Sequence, residues 1–291
     1  MKPLKYYLLL GVGIFGISWG SILTRISGAP GYVCATWRIV FSTIILFLLF
    51  GWKHIDEIKE IFKEKLLIAF IAAISLALHL LLWMESLSYT SVAISTTIVD
   101  THPIFATIIT YIFLKEKPTR IQILGLIIAF IGVIILFSPW KVDISGLYGP
   151  ILAFIAAIAE AVYLSSGRFM RKKYSIEAYV ISIYSIASIF SIFYTITIAK
   201  RPLFGYPIKT WIAFLLLAIL PMILGHTTMN YLLKYLSTLT VSASFLAEPV
   251  IASILAIFIL YETPESYTVV GMAITILGVL MSIIGEEYRK E

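Results

Sequence analysis

Apolar residues run along this chain in long blocks, covering 6–24, 32–52, 66–87, 91–114, 121–137, 147–167, 176–199, 210–232, 239–260 and 266–284. A helix needs about 20 mostly apolar residues to cross the hydrocarbon core of a bilayer. The pattern therefore predicts an all-α integral membrane protein with ten transmembrane helices. Short polar or helix-breaking punctuation separates the blocks, as at Gly28-Ala29-Pro30-Gly31, Lys117-Pro118, Ser138-Pro139, Gly149-Pro150, Arg201-Pro202 and Thr263-Pro264. The break at 53–65, KHIDEIKEIFKEK, is longer and sets Ile55, Ile58 and Phe62 near one face, which predicts a short interfacial helix. Trp52, Trp140 and Trp211 stand at span ends and are expected to be interfacial anchors. The first block follows Lys2 and Lys5, as a signal peptide would, but no small-residue cleavage site comes after it. It is expected to stay as the first helix.

The blocks repeat. Sliding the chain along itself by 146 residues superposes Tyr89 on Tyr235, Pro103 on Pro249, Glu116 on Glu262, Pro118 on Pro264, Gly125 on Gly271 and Gly132 on Gly278. Proline and glutamate have definite effects inside apolar helices, so a match carried by them is more specific than one of Ile and Leu. The expected organisation is two five-helix repeats, 1–145 and 146–291, within one membrane domain.

Composition agrees with a lipid setting: 60% of residues are hydrophobic, 13% are charged and the mean hydropathy is +0.99. The net charge of +6 and pI near 9.2 do not indicate nucleic acid, because the cations sit in short clusters between apolar blocks, with no basic face. They report topology instead. With the amino terminus inside, sixteen Lys and Arg fall in inner segments and five in outer ones, which predicts cytoplasmic termini and a plasma-membrane location. A five-helix unit used twice must then cross in opposite senses, an inverted repeat of the kind secondary transporters use. Cys34 is the single cysteine, so no intrachain disulfide can form.

Candidate chemistry lies in the charged and polar residues within the blocks, since such groups are costly at membrane depth and are usually retained for a reason. At 1.5 Å per residue, Asp100 lies roughly 12 Å and Arg38 roughly 9 Å below the outer ends of their helices. Similar depth allows an Arg38–Asp100 ion pair, either at a binding site or simply holding the second helix to the fourth. His102 and Glu248 occupy equivalent positions, each just before a helix-kinking proline, Pro103 or Pro249. Each proline frees a carbonyl one turn earlier, at Val99 and Phe245. Kink geometry alone, or a place for substrate or a proton, would account for both. Asp100 and His102 stand about 200° apart on a regular helix, which argues against a shared ligand. Polar stripes of Thr96, Asp100, Pro103, Thr107 and Thr110, and of Thr240, Ser244 and Glu248, are the expected cavity walls. Glu160 with Tyr163, His79 with Trp83, and His226 with Asn230 and Tyr231 are further buried polar sets, open to reading as interhelical hydrogen bonds or as substrate contacts. Glu116 and Glu262, at helix ends, suggest structural or gating roles. Gly125, Ala129 and Gly132 permit close helix contact, and an exposed fifth or tenth helix could also form a dimer interface.

Ser18-Trp19-Gly20-Ser21, Thr36-Trp37-Arg38, the mid-helix prolines of the fourth and ninth helices, and two copies of the pattern Phe113-Leu114-Lys115-Glu116-Lys117-Pro118…Gly125…Gly132-Val133 together resemble the EamA-type permeases of the drug/metabolite transporter superfamily. The resemblance covers essentially the whole chain. It implies a ten-helix fold, a central cavity lined by helices 1, 3, 4, 6, 8 and 9, peripheral helices 5 and 10, and transport, often export, of amino acids or other small metabolites. Ser18–Ser21 has no good copy in the second half, so the cavity is expected to be chemically lopsided.

The reading that results is a secondary transporter working by alternating access, monomer or homodimer, with a small-molecule substrate, the lipid bilayer and protons as partners. Its cavity residues are expected to be Trp19, His79, Trp83, Thr96, Asp100, His102, Glu160, Tyr163, Asn230, Ser244 and Glu248. A passive facilitator or channel is the alternative. An intramembrane enzyme is disfavoured, and neither cofactor nor metal is expected: His54, His79, His102 and His226 lie in different segments without metal-ligand spacing, and there is no phosphate-binding GxxxxGK[ST] loop.

Overall fold

The computed structural model describes residues 3–90, 92–137, 146–260 and 266–288. All regular elements among them are helices. Eight are long and apolar enough to cross a membrane: Leu4–Ser27, Gly31–Lys53, Leu66–Ser86, Tyr148–Met170, Ile176–Ile198, Ile208–Leu232, Thr238–Leu255 and Ser266–Glu287. They correspond to the expected first, second, third and sixth to tenth spans. The fifth is the shorter helix Arg120–Phe137. The fourth is divided into Val92–Val99 and His102–Leu114. Ser138, Pro139, Trp140, Glu262, Thr263 and Pro264 lie outside the described residues.

Proline explains where the spans lose regularity, because it lacks an N–H and its ring crowds the carbonyl one turn earlier. Before Pro103 the helix breaks at Asp100 and Thr101. Before Pro249 it tightens into a 3₁₀ turn over Phe245–Ala247. Around Pro221 the eighth span widens into π-helix over Ala218–Thr227, which sets the register of His226 at its far end. The first span bends at Ser18 and Trp19, where the Ser18 hydroxyl donates to the Ile14 carbonyl at 2.7 Å. These four irregular places belong to four of the spans that surround the centre.

The fifth and tenth spans pack on each other along a seam of small residues. A Cβ added at Gly125 would meet the Ser282 backbone nitrogen at 2.5 Å, and one at Gly132 or Gly278 would run into the backbone of Thr275 or Ala129. The small residues are thus used inside the chain and are not left for a dimer. Outward, these two helices expose Ile123, Leu124 and Ile127, and Val269, Val270 and Leu280, a surface suited to lipid.

Residues Ile55–Glu64 form the expected short amphipathic helix, packed on the seventh span. Its buried residues are Ile58 and Ile61, whereas Ile55 and Phe62 stay 40% and 37% exposed. The expected face is therefore rotated toward Ile61, which at i+3 shares the docked side with Ile58. Trp52 is exposed, as an anchor would be. Trp211 is not; it packs edge-on against Trp37 at 4.8 Å and donates to the Tyr206 carbonyl at 3.1 Å.

A dense hydrogen-bond network closes the end of the bundle that carries this helix. Thr119 and Gln122 cap the fifth span reciprocally, the Thr119 N–H donating to Gln122 Oε1 at 2.9 Å and the Gln122 N–H to Thr119 Oγ1 at 3.2 Å. The same Gln122 side chain reaches Glu286, which accepts from Gln122 Nε2 at 3.0 Å, Thr240 Oγ1 at 2.9 Å and the Ser237 N–H at 3.0 Å. Glu116 accepts from Arg168 and from the Thr238 N–H at 3.2 Å, and Arg168 also donates to the Leu233 carbonyl. Lys173 pairs with Glu60 at 2.5 Å and Glu64 at 2.9 Å.

Candidate functional site

Seven spans converge on a small cavity at the centre of the bundle. The third span supplies His79 and Trp83, the broken fourth span Asp100 and His102, the sixth Glu160 and the ninth Glu248. Arg38 of the second span reaches the same space. Ile17, Val99 and Phe245 complete the wall, and His226 enters from the π-helical stretch of the eighth span. The space available to the centre of a water molecule is about 20 Å³, room for one or two waters. This is a closed arrangement.

Several polar atoms facing this space have no hydrogen-bond partner: Arg38 Nε, Asp100 Oδ2, both carboxylate oxygens of Glu160, His102 Nε2 and His226 Nδ1. Arg38 is 1% exposed and Glu160 1% exposed, so bulk water does not serve them. Buried polar groups are nearly always paired, and a cluster that is not marks a place where a ligand, ion or water belongs.

The kink in the fourth span has its own chemistry. Pro103 frees the Val99 carbonyl, and His102 Nδ1 lies 3.2 Å from that oxygen. A carbonyl only accepts, so Nδ1 carries the proton and Nε2 is left toward the cavity. His79 repeats the arrangement, with Nδ1 3.1 Å from the Ala156 carbonyl. The two rings are thus oriented by backbone, one of them by a carbonyl that a proline released.

Of the residues expected from sequence, His79, Trp83, Asp100, His102, Glu160, Glu248 and Arg38 come together. Asp100 and His102 share the cavity despite their spacing because the helix is interrupted between them; the 200° argument holds only for a regular helix. No ion pair joins Arg38 to Asp100. Equal depth fixes height but not direction around the axis, and Arg38 shares the cavity with Glu248 and Glu160 as well as Asp100. Trp19 is half-buried beside Phe15, ring centroids 6.2 Å apart, and Thr96 is buried off the cavity. Asn230 donates to the Tyr163 hydroxyl at 2.8 Å and the His226 carbonyl at 2.9 Å, so both Asn230 and Tyr163 stand behind His226 and brace it. The Ser244 hydroxyl donates to the Thr240 carbonyl at 2.7 Å, and Thr107 and Thr110 bond back to Pro103 and Ala106. Thr107, Thr110 and Ser244 are therefore turned onto their own helices, Thr240 donates to Glu286 instead, and none of the four walls the cavity.

Sequence reasoning also missed a cluster. The ligand atoms of His79, Glu160 and His226 lie within 4.8 Å of one another, so the expectation of no metal-ligand set holds for spacing along the chain but not in space. Three helices contribute one residue each, and no motif within a single helix could signal that.

Charged groups that no neighbour satisfies, walled in by apolar spans, are what a membrane protein keeps for something that arrives and leaves, and they place this chain among multi-pass membrane transporters. The chain belongs to the EamA-like transporter family, whose profile matches residues 4–138 and again 147–284. It is similar to an uncharacterized transporter of Clostridium kluyveri, 29% identical over 73% of this chain and 69% of that one. It is also similar to the uncharacterized transporter YyaM of Bacillus subtilis, 26% identical over 96% of this chain and 94% of that one. A solved crystal structure with 14% identity superposes over 99% of both chains with a TM-score of 0.81, a likeness of fold alone. The cavity receives residues from the first, third, fourth, sixth, eighth and ninth spans, as the family resemblance implied, and in addition Arg38 from the second.

Proposed function

We propose that this chain is a secondary transporter, an exporter of small zwitterionic metabolites such as amino acids, in the plasma membrane with both termini in the cytoplasm. Its two inverted five-helix repeats, 1–145 and 146–291, rock about the central cavity and open it alternately to each side. The observation that carries the reading is the unsatisfied cavity between the halves, where the Arg38 guanidinium suits a substrate carboxylate and Asp100, Glu160 and Glu248 suit an ammonium group. Glu248, beside the kink at Pro249, exchanges the coupling proton. The closed 20 Å³ space favours alternating access over an open pore. The excess of Lys and Arg in the inner segments supports the orientation.

Reconstitution into liposomes tests this. Saturable counterflow of a labelled amino acid, accelerated by an imposed proton gradient, is expected; unsaturable flux or steady conductance would mean a passive facilitator and overturn it.

A further inference from the structure

The cavity contains an arrangement of which the transport reading uses only Glu160 and leaves His79 and His226 without a role. His79 Nε2 is 3.5 Å from Glu160 Oε2, and His226 Nδ1 is 3.8 Å from Glu160 Oε1. These separations are too long for hydrogen bonds, and both Glu160 oxygens and His226 Nδ1 have no partner. All three residues are buried, with His79 6%, Glu160 1% and His226 4% exposed. Because His79 Nδ1 donates to the Ala156 carbonyl, the neutral ring turns a bare lone pair at Nε2 toward a carboxylate oxygen. Two electron-rich atoms facing each other in an apolar interior call for a positive centre between them.

We propose that His79, Glu160 and His226 form a binding site for one divalent first-row metal ion, with Zn²⁺ the best match. Two imidazole nitrogens and one carboxylate oxygen are a ligand set zinc favours when a fourth position stays open. Zinc–nitrogen bonds of about 2.0–2.1 Å in a tetrahedron place donor atoms about 3.3 Å apart. The observed 3.5 and 3.8 Å are already close to that, and no donor pair exceeds 4.8 Å. The backbone bond behind His79 is the kind of outer contact that fixes a metal-ligating ring in its binding tautomer. Asn230 and Tyr163 brace the eighth span at His226 in the same way.

Size and charge agree with an ion. About 20 Å³ holds a metal with a water on its open position, whereas an amino acid needs the cavity to expand. Arg38 opposes a cation, but Asp100, Glu160 and Glu248, when ionised, outnumber it three to one and leave the two negative charges that a divalent ion neutralises. His79 belongs to the first half of the chain, Glu160 and His226 to the second. A bound ion therefore ties the halves together in the closed arrangement, which makes zinc an inhibitor of rocking. This goes beyond the transport reading, and its test needs no transport.

Zinc is titrated into the full-length protein, purified in detergent and freed of metal, and is counted by elemental analysis after equilibrium dialysis. One ion per chain is expected at low micromolar free zinc, with affinity falling by more than about tenfold in His79→Gln and in His226→Gln. No zinc above the dialysis buffer, or unchanged affinity in both variants, overturns the proposal. A cobalt titration of the unsubstituted protein guards against variants that fail to fold. Strong visible absorption bands of a four- or five-coordinate nitrogen and oxygen site are expected, and their absence overturns it too. Counterflow that persists in chelator while zinc binding fails would leave the transport reading standing and remove only this one.

Discussion

Glu286 and Glu160 are both buried carboxylates of the second half, and their surroundings differ in one respect. Glu286 is held by hydrogen bonds from Gln122 of the fifth span and from Ser237 and Thr240 at the start of the ninth. Glu160 has a cavity in front of it and no hydrogen bond on either oxygen. A satisfied network makes a buried charge a fastener, since removing one member strands the others. An unsatisfied charge holds nothing in place and is kept for what it will bind. The end of the bundle around Glu286 is therefore built to persist, and the middle is built to change partners.

Substitutions can break that comparison, and the largest effect should come from the satisfied end. Glu286→Ala removes the acceptor of the Thr240 hydroxyl and the Ser237 N–H and one of the acceptors of the Gln122 amide. A loss of roughly 1–3 kcal/mol is expected, the cost of leaving buried donors unsatisfied. It would be seen as a clear drop in the thermal midpoint of the detergent-purified protein; an unchanged midpoint would dissolve the distinction. Glu248→Gln, at the cavity, should do the opposite. Its midpoint is expected to stay near that of the parent while proton-driven uptake falls by about tenfold, equivalent to roughly 1.4 kcal/mol. Full activity across a pH series would remove Glu248 from coupling.

The smallest effect concerns the amphipathic helix at the closed end. Glu57 is shifted below the usual carboxylate range: burial pushes it up, but the hydroxyl and amide of Ser175 together with His54 outweigh that. Glu64 is shifted down by its hydrogen bond to Lys173 and by that residue's charge. A carboxylate lowered on folding stabilises the fold above its unfolded value of about 4.3. That contribution is lost as pH falls through the lower folded value. Acidification below about pH 4 should therefore loosen Ile55–Glu64 before the spans respond, with faster hydrogen exchange in this helix as the readout. Equal protection at pH 7 and pH 3.5 would show that Ile58 and Ile61 hold the helix unaided. The effect is modest because exposed pairs are screened.

The distinction between fastener and site was only partly legible in the sequence. Block length and hydropathy suffice for the spans, and the paired prolines led to the cavity, because a missing N–H has a fixed local consequence. Glu116 could be read as structural from its place at a helix end. Glu286 could not, since its partners come from helices more than forty residues away. Thr119-Arg120-Ile121-Gln122 is a capping pattern that does announce the start of the fifth span, and it was open to reading. The threonine stripes misled because a hydroxyl in an apolar helix can satisfy itself on the carbonyl one turn back, as Thr107 and Ser244 do. His79, Glu160 and His226 were each visible as polar residues in apolar blocks. Their convergence depends on rotations about three helix axes and on a π-helical turn, which no local pattern encodes.

The seam between the fifth and tenth spans bears on how the chain is made. Gly125, Ala129 and Gly132 fit against a helix that lies near the other end of the chain, Ser266–Glu287. At synthesis rates of about 5–20 residues per second, the ribosome takes on the order of 10 s to reach that partner after the fifth span emerges. For that interval the groove faces lipid or the insertion machinery. The tenth span thus closes, late in synthesis, a surface laid down half a chain earlier.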